Sequence, residues 1–465
     1  MPVDRDAVVS NAKYLRNIRP VDPDEISEYV EGHPHGAVVR QVLREEAWDL
    51  GLVEREDGTF VPADDDPVRI EDAAVEGLPS EYAAALEGAL VERYGGEWYA
   101  GATGDTLRES IRRLKEDYYH ENPVEYDLDA AFGYALYHLP DFYAAGRYVF
   151  ADLARDGRVP RTLRVLDVGA GVGGPALGLL DALPEDALVR YEAVEPSAST
   201  ELLDLLLDET GTNVHPSIHE TTAEAFDPGT YDIVLFGNVL SELDAPVAVV
   251  EKYLDALDDD GTLVAIAPAD KNTAIQLREV EREVEANDSA TVFAPAVRLW
   301  EGYAPTDTGW SFDERPDVEP PRIQRELAER AERPSEFLNE TVKFAYSFLT
   351  VDGERRYDVS LSPGRTLRMA DSGDRVTNRV DALVGKLSRN LAGGDANPLF
   401  RVSDGSERVD HYAVLVQETS LNVALRTAEY GDLLSVESAL LLWNDDEGAY
   451  NLVVDDETVV DPVPR

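Results

Sequence analysis

Between Arg164 and Glu195 the chain reads RVLDVGAGVGGPALGLLDALPEDALVRYEAVE. One acid, Asp167, precedes glycines at 169, 171, 173 and 174, and a second acid, Glu195, closes the stretch. Glycine has no Cβ, so the backbone at Gly169 and Gly171 can turn sharply and let a ligand come close. A helix starting behind that turn would present unpaired N–H groups and a partial positive charge. Glu195 is placed to accept hydrogen bonds from two ribose hydroxyls. The chemistry this pattern supports is the holding of a nucleoside.

Those residues need a scaffold. Val165 to Val168 is a short apolar run with the length and flanks of a buried parallel strand. Leu177, Leu180 and Leu183 then fall on one face of a helix. Arg190 to Val194 is a second strand with Glu195 at its carboxyl end, where open α/β sheets bind ligands. The spacing Asp167-x-Gly169-x-Gly171-x-Gly173 departs from the dinucleotide pattern G-x-G-x-x-G, and no basic residue stands ready for a 2′-phosphate. The stretch resembles motif I of the class I S-adenosylmethionine (SAM) dependent methyltransferases. The resemblance implies SAM as cofactor, with Gly169, Ala170, Gly171 and Gly173 around its methionine part. Glu195 would hold the ribose and Pro196 begins the loop behind it. Asp167 would orient the turn through its backbone N–H groups. Glu220, Thr222 and Ala223 follow a third strand, near Asn213 to Ile218, where such folds contact the adenine.

Composition bounds the rest. The chain has 465 residues, 93 Asp and Glu against 42 Lys and Arg, and a formal charge of −51; six of the basic residues are Lys. Acid is spread along the whole length while 43% of residues are hydrophobic, so the chain is globular and not a disordered acidic tail. This composition fits molar salt, where a Debye length of about 3 Å screens the self-repulsion. Without cysteine there are no disulfides, thiolate metal sites or cysteine nucleophiles. No run of 18 apolar residues exists, so no membrane partner is expected and the cytoplasm is the default location.

Four domains are expected: 1–65, 66–157, 158–340 and 341–465. Residues 3–64 read as three helices and a hairpin, resembling a winged helix, with Arg40 and Arg44 on the third helix able to touch phosphate. Residues 66–157 read as a helical cap, with Ser80 to Tyr94 and Asp105 to His120 amphipathic and Leu128 to Leu153 split in two by Pro140. Tyr231 to Phe236 and Gly261 to Pro268 continue an alternation of strands and helices, which predicts an α/β, doubly wound Rossmann-like sheet. Arg322, Arg325, Arg330 and Arg333 form the densest basic cluster. Beyond Val342 strands dominate: Lys343 to Val351, Arg356 to Leu361, His411 to Gln417, Leu421 to Thr427, Leu434 to Trp443 and Ala449 to Val454. They would make a β-rich, OB-like barrel, with one helix at Val376 to Leu391.

Two catalytic routes are missing. The fourth strand lacks the Asp/Asn-Pro-Pro-aromatic motif used on exocyclic nitrogens, and no cysteine can form the adduct for C5 methylation of pyrimidines. Asn238 stands where a substrate-facing or cofactor-facing polar residue belongs, and Glu242 is a candidate general base. His215 and His219 read as surface histidines. A narrower resemblance rests on Tyr134, Leu139-Pro140, Tyr143-Ala144 and Arg147, on VLDVGAG, on Val239 to Leu243, and on Phe344-Ala345-Tyr346. It is to the mitochondrial ribosomal small-subunit methyltransferase-like family and its prokaryotic relatives. It implies a SAM-binding protein acting on or near RNA of the small ribosomal subunit. That family holds an iron–sulfur cluster on cysteines; here Ala296 and Ser311 stand at two of those positions, so no cluster is expected. The alternatives are a catalytically silent SAM-binding ribosome-assembly factor and a winged-helix nucleic-acid-binding regulator.

Overall fold

The computed structural model describes residues 3–70, 73–120, 127–362, 364 and 366–465. The chain divides into two compact units, Met1–Gly237 with Asp317–Glu340, and Asn238–Pro316 with Thr341–Arg465.

The first unit opens with α1 (Arg5–Leu15), α2 (Pro23–Tyr29), α3 (Gly36–Glu45) and the short α4 (Ala47–Leu50), followed by the hairpin β1 (Leu52–Glu54) and β2 (Phe60–Pro62). Asp4 and Asp22 cap the first two helices by accepting from the amides of Ala7 and Asp24, and Pro23 sits in the first turn, where its missing N–H costs nothing. Val21 and Phe60 exchange backbone hydrogen bonds at 2.7 and 2.8 Å, closing the helices onto the hairpin. Val8, Ile26, Val39, Leu43 and Phe60 form the core.

Three longer helices follow: α5 (Ser80–Tyr94), α6 (Gly101–His120) and α7 (Leu128–Arg155). The expected break at Pro140 does not occur; α7 runs through it for 28 residues. Proline cannot donate to the carbonyl four residues back. That carbonyl, on Leu136, accepts instead from Gln324 Nε2 at 2.7 Å.

The α/β half of this unit is β3 (Thr162–Val168), α8 (Gly174–Ala182), β4 (Leu188–Val194), α9 (Thr200–Leu207), β5 (Val214–His219) and β6 (Tyr231–Gly237). The four strands are parallel in the order β5-β4-β3-β6. The register sets Asp167 opposite Ala193 on one side and Leu235 on the other. Strands covered on both faces read as continuous apolar runs, and Val165, Leu166, Val168, Ile233, Val234 and Leu235 are all fully buried.

The second unit holds α10 (Pro246–Leu254), β7 (Leu257–Pro268), α11 (Lys271–Ala286), β8 (Thr291–Ala294) and β9 (Asp313–Arg315). The chain then returns to the first unit for α12 (Arg322–Glu329) and comes back as β10 (Val342–Thr350). β10 lies antiparallel between β7 and β8, with Phe344 opposite Pro268 and Phe348 opposite Ala294.

The C-terminal part is β-rich: β11 (Arg379–Lys386), β12 (Leu399–Ser403), β13 (His411–Leu415), α13 (Ala424–Thr427), β14 (Leu433–Asn444), β15 (Ala449–Val454) and β16 (Val459–Pro462). The order β11-β12-β13-β15-β14 closes through pairing of β14 with β11, and β16 adds to β14. β13 and β15 are parallel and the other pairs antiparallel. Val384, Phe400, Val402, Leu434, Leu441 and Leu452 fill the interior.

Three sequence expectations fail here. The helix expected at Val376 to Leu391 is strand β11, because Val380, Ala382 and Val384 alternate inward once the ring closes. Leu421 to Thr427 is a turn and the short helix α13, fixed by Asn422, whose Nδ2 donates to the carbonyls of Gln417 and Asp455 at 3.0 and 2.7 Å. Arg356 to Leu361 forms no strand.

Candidate functional site

The bend after β3 is built by three left-handed glycines, Gly169, Gly171 and Gly173, with φ of 71°, 55° and 82°. Their roles differ. A Cβ on Gly173 would stand 2.6 Å from Leu203 Cδ1, so the end of that buried side chain would have to shift. A Cβ on Gly171 would meet nothing within 4 Å, so the bend is open on that side. The amides of Gly169 and Ala170 donate to the Val194 carbonyl at 2.8 and 3.3 Å, tying the bend to the end of β4.

Glu195 completes it. The side chain is buried, with Oε2 accepting from the Gly171 amide and Oε1 from the Ser197 amide, each at 2.9 Å. A carboxylate has about four acceptor sites, so two bonds to the loop leave capacity for two ligand hydroxyls. The bend is therefore open at Gly171, with a fixed carboxylate beside it. Pro196 is exposed immediately after.

Asp167 serves differently from the expectation. Its carboxylate accepts from the Tyr191 hydroxyl at 2.8 Å, not from the turn's amides. Burial pushes it up to about 7; the Tyr191 bond opposes that, and the negative charge of Glu195 adds to it. A titrating acid therefore underlies the bend near neutral pH.

Helix α7 covers the start of α8. A Cβ on Gly174 would come within 3.0 Å of Phe142 Cβ, and one on Gly178 within 2.2 Å of the Tyr143 carbonyl. One turn before Phe142, the His138 ring stacks on it at 4.9 Å and 6°. His138 Nδ1 lies 3.7 Å from Asp141 Oδ1, and both atoms are buried without a hydrogen-bond partner. Burial raises the Asp141 carboxyl. Rings of Tyr118, Tyr134 and Tyr137 surround His138 at 4.8 to 6.4 Å. Sequence reasoning treated this helix as cap; the signal was the i,i+3 His-Asp pair within an aromatic run, which two protonatable groups on one face make unlike ordinary core.

Glu220, Thr222 and Ala223 follow the carboxyl end of β5, and the Glu195 amide donates to the His219 carbonyl at 3.1 Å, so both strand ends meet there. Glu220 and Thr222 are exposed and Ala223 is buried. Asn238 begins the second unit. It is buried with φ 62°, its amide donates to the Ile266 carbonyl at 2.9 Å, and neither side-chain amide atom has a partner. Buried polar groups are nearly always paired, so this asparagine is a candidate ligand contact. Glu242 is exposed on a 3₁₀ turn.

The basic residues of the third helix and of the Arg322 to Arg333 cluster have partners within the first unit. Arg40 and Arg44 both pair with buried Glu54, whose amide donates to Asn213 Oδ1 at 2.8 Å while Asn213 Nδ2 returns a bond to the Glu54 carbonyl at 3.0 Å. Trp48 lies under Arg190 at 4.9 Å. The third helix and the hairpin are thus fastened to the parallel sheet. Arg322 pairs with Glu87 and Glu326, Arg325 with Glu319 and Arg333 with Glu336, while Arg330 lies over the Tyr99 ring. His215 is partly buried and held below its usual range by desolvation, and His219 Nε2 is 3.1 Å from Glu192. The Ser311 hydroxyl is buried against that of Tyr430 at 2.6 Å. Among the described residues no helix is long and apolar enough to cross a membrane.

Comparison with known proteins adds partial likenesses. A segment of 122 residues is 30% identical to the highly reducing polyketide synthase PKS6 of Gibberella zeae; it is 24% of this chain and 5% of that protein. Solved structures similar to the chain include the SeMet-substituted CurJ carbon methyltransferase (TM-score 0.32, 14% identity, 74% of this chain and 90% of that one). Others are the plantazolicin methyltransferase BpumL in complex with SAH (0.30, 11%, 57% and 99%) and the mitomycin 7-O-methyltransferase MmcR (0.23, 15%, 57% and 76%). At its two ends the chain matches models of a domain of unknown function, DUF8157: its N-terminal domain over residues 5–56 and its C-terminal domain over residues 370–463.

Proposed function

We propose that the first unit binds S-adenosylmethionine in the Gly169–Gly173 bend, and that the protein is a SAM-dependent methyltransferase acting on or near RNA of the small ribosomal subunit. The observation that carries the reading is the Glu195 carboxylate, bonded at 2.9 Å to the amide of Gly171 while the Cβ direction of Gly171 stays open. Bound there, the cofactor supplies a methyl group on a sulfonium centre, for which positioning and desolvation do most of the catalytic work.

The chain's own groups have distinct tasks. Glu195 takes the ribose hydroxyls on its spare lone pairs. Gly169 and Gly171 let the backbone approach, and ionised Asp167 beneath them favours a cationic ligand. Glu220, Thr222 and Ala223 stand where the base would lie. His138, beside Asp141, takes a proton from the acceptor. In the second unit, Asn238 offers a donor and an acceptor to a polar ligand group.

The ribosomal acceptor rests on the resemblance of the Tyr134 to Arg147 helix, VLDVGAG, Val239 to Leu243 and Phe344 to Tyr346. The closed five-stranded ring supports it, since small β-barrels of this kind commonly hold single-stranded nucleic acid. The test is titration calorimetry of SAM in molar KCl, followed by transfer of a labelled methyl group to small-subunit RNA from cells lacking the protein. Binding with transfer is expected. Binding without transfer leaves the silent assembly factor, and no binding removes the cofactor.

A further inference from the structure

Pro140 frees the Leu136 carbonyl inside α7, and two residues of the segment 317–340 gather at that point of the helix. Gln324 is buried; its Nε2 donates to the Leu136 carbonyl at 2.7 Å and to the Tyr137 carbonyl at 3.3 Å. Its Oε1 accepts from the Asn339 backbone amide at 3.0 Å. Asn339 Nδ2 in turn donates to the Tyr137 carbonyl at 3.2 Å. An uninterrupted helix would offer Gln324 no free carbonyl, so the proline creates the anchorage and Gln324 passes it on to Asn339. Asn339 is thereby fixed at its backbone and at its side chain.

The next turn of α7 carries His138 and Asp141. Burial raises the Asp141 carboxyl, and contact with His138 and with the Asn339 side chain lowers it again. His138 Nδ1 stands 3.7 Å from Asp141 Oδ1, beyond hydrogen-bond length. Such contacts often tighten only when a substrate is bound. The direction of that bond decides the chemistry. An ionised Asp141 accepts from Nδ1–H and leaves the lone pair on Nε2; a protonated Asp141 donates and reverses the tautomer. An amide N–H facing the carboxylate favours its ionised form.

We propose that Asn339 is a positioning residue for the proton transfer given to His138: anchored through Gln324 where Pro140 interrupts the helix, it turns the Asp141 carboxylate toward Nδ1 and so selects the tautomer whose Nε2 takes the proton. The inference rests on that reading of His138. A proton taken at Nε2 makes an imidazolium, which the Asp141 carboxylate then faces. The other ionisable groups around the pair are Tyr134 and Tyr137 on α7 and Tyr118 and Lys115 on α6, with Lys115 Nζ 3.6 Å from the Tyr137 ring centre and donating to the Glu336 carbonyl. Burial and then the charge of Asp141 push Tyr137 up to about 12, and burial brings Lys115 down to about 8. Both titrate on the basic side, so an acid limb reads the His138–Asp141 pair.

The test uses the full chain in molar KCl, with nitrogen-15 in its histidines and the His138 signals identified by their loss in His138→Gln. Neutral His138 should carry its hydrogen on Nδ1. In Asn339→Leu the Nε2–H form should gain, and the His138 midpoint should fall by roughly half a pH unit or more, because a less ionised Asp141 supports the imidazolium less. The acid limb of methyl transfer should move up by a similar amount with SAM affinity unchanged, and Gln324→Leu should move both in the same directions. A lower melting temperature with tautomer, midpoint and acid limb all kept would make Asn339 merely structural and overturn the proposal. So would an Nε2–H tautomer in the unaltered protein, which needs no variant. Should Asn339→Leu fail to fold, Asn339→Ala removes the amide without added bulk and takes its place. The nitrogen spectra need no acceptor, so absence of transfer by the unaltered protein counts against the methyltransferase reading, while an unmoved tautomer with transfer intact counts against Asn339 alone.

Discussion

Gln324 Nε2 donates to the Leu136 carbonyl at 2.7 Å, the acceptor that Pro140 leaves without its helical partner. Gln324→Leu should strand that buried carbonyl and cost about 1–3 kcal/mol. Pro140→Ala restores the missing N–H, so it should recover part of the loss only in the Gln324→Leu background. A double-mutant cycle by chemical denaturation measures this; strict additivity would contradict it.

The pH dependence of stability should carry the signature of Asp167. Its folded value, about 7, lies above the unfolded 3.8. The contribution is therefore complete below pH 4 and declines as pH rises toward 7. Asp167→Asn keeps an acceptor for Tyr191 without the charge. Its stability relative to the parent should grow by up to about 4 kcal/mol between pH 4 and 8, then level off. Parallel melts of the two proteins across that range would show a constant gap if the carboxylate were not desolvated.

The two inner glycines should separate binding from folding. Gly171→Val points into open space and should remove SAM affinity, with only the left-handed backbone penalty of about 1–2 kcal/mol. Gly173→Ala drives a methyl group into Leu203 and should lower stability further, by about 1–3 kcal/mol beyond the same penalty. Calorimetric titration and thermal melts distinguish the two; SAM binding retained in Gly171→Val would refute the pocket.

Arg40→Gln with Arg44→Gln should loosen the N-terminal module and leave nucleic-acid affinity unchanged. Both pair with Glu54, and the loss in melting temperature should be larger at 0.1 M than at molar salt. A fluorescence-anisotropy assay with duplex DNA and structured RNA supplies the comparison. A large fall in affinity would return these residues to phosphate contact.

His138→Gln should slow methyl transfer by about 10²-fold or more, with SAM affinity within twofold of the parent. Asp141→Asn should shift the pH profile of the reaction. Equal loss of cofactor binding and rate would mean that the pair serves only the fold.

How much of this was legible beforehand follows from where the forces act. The bend between Asp167 and Glu195 was readable because local sequence determines it: strand, positive-φ glycines, helix and strand lie within 33 residues, Thr162 to Val194. The task of Asp167 was misread, since Tyr191 reaches it only once β3 and β4 lie side by side. Pro140 was read as a break because the rescuing Gln324 is 188 residues away in sequence. Strand β11 was read as a helix because Leu383, Leu387 and Leu391 keep a helical spacing, and only pairing with β12 and β14 selects the twofold alternation. His138 and Asp141 lay in plain view but were absorbed into an aromatic helix.

A ring of strands cannot fray from one end. Pairing of Arg379 with Leu440 and of Gly385 with Leu433 joins the first barrel strand to the fourth across more than 45 residues of chain. Apart from β14, the only described strand paired with β11 is β12, through the short pairing of Gly385 and Lys386. The region from 379 to 454 must therefore assemble in one concerted step, late and slowly for its size, and once shut it offers a neighbouring chain few bare backbone groups on which to grow.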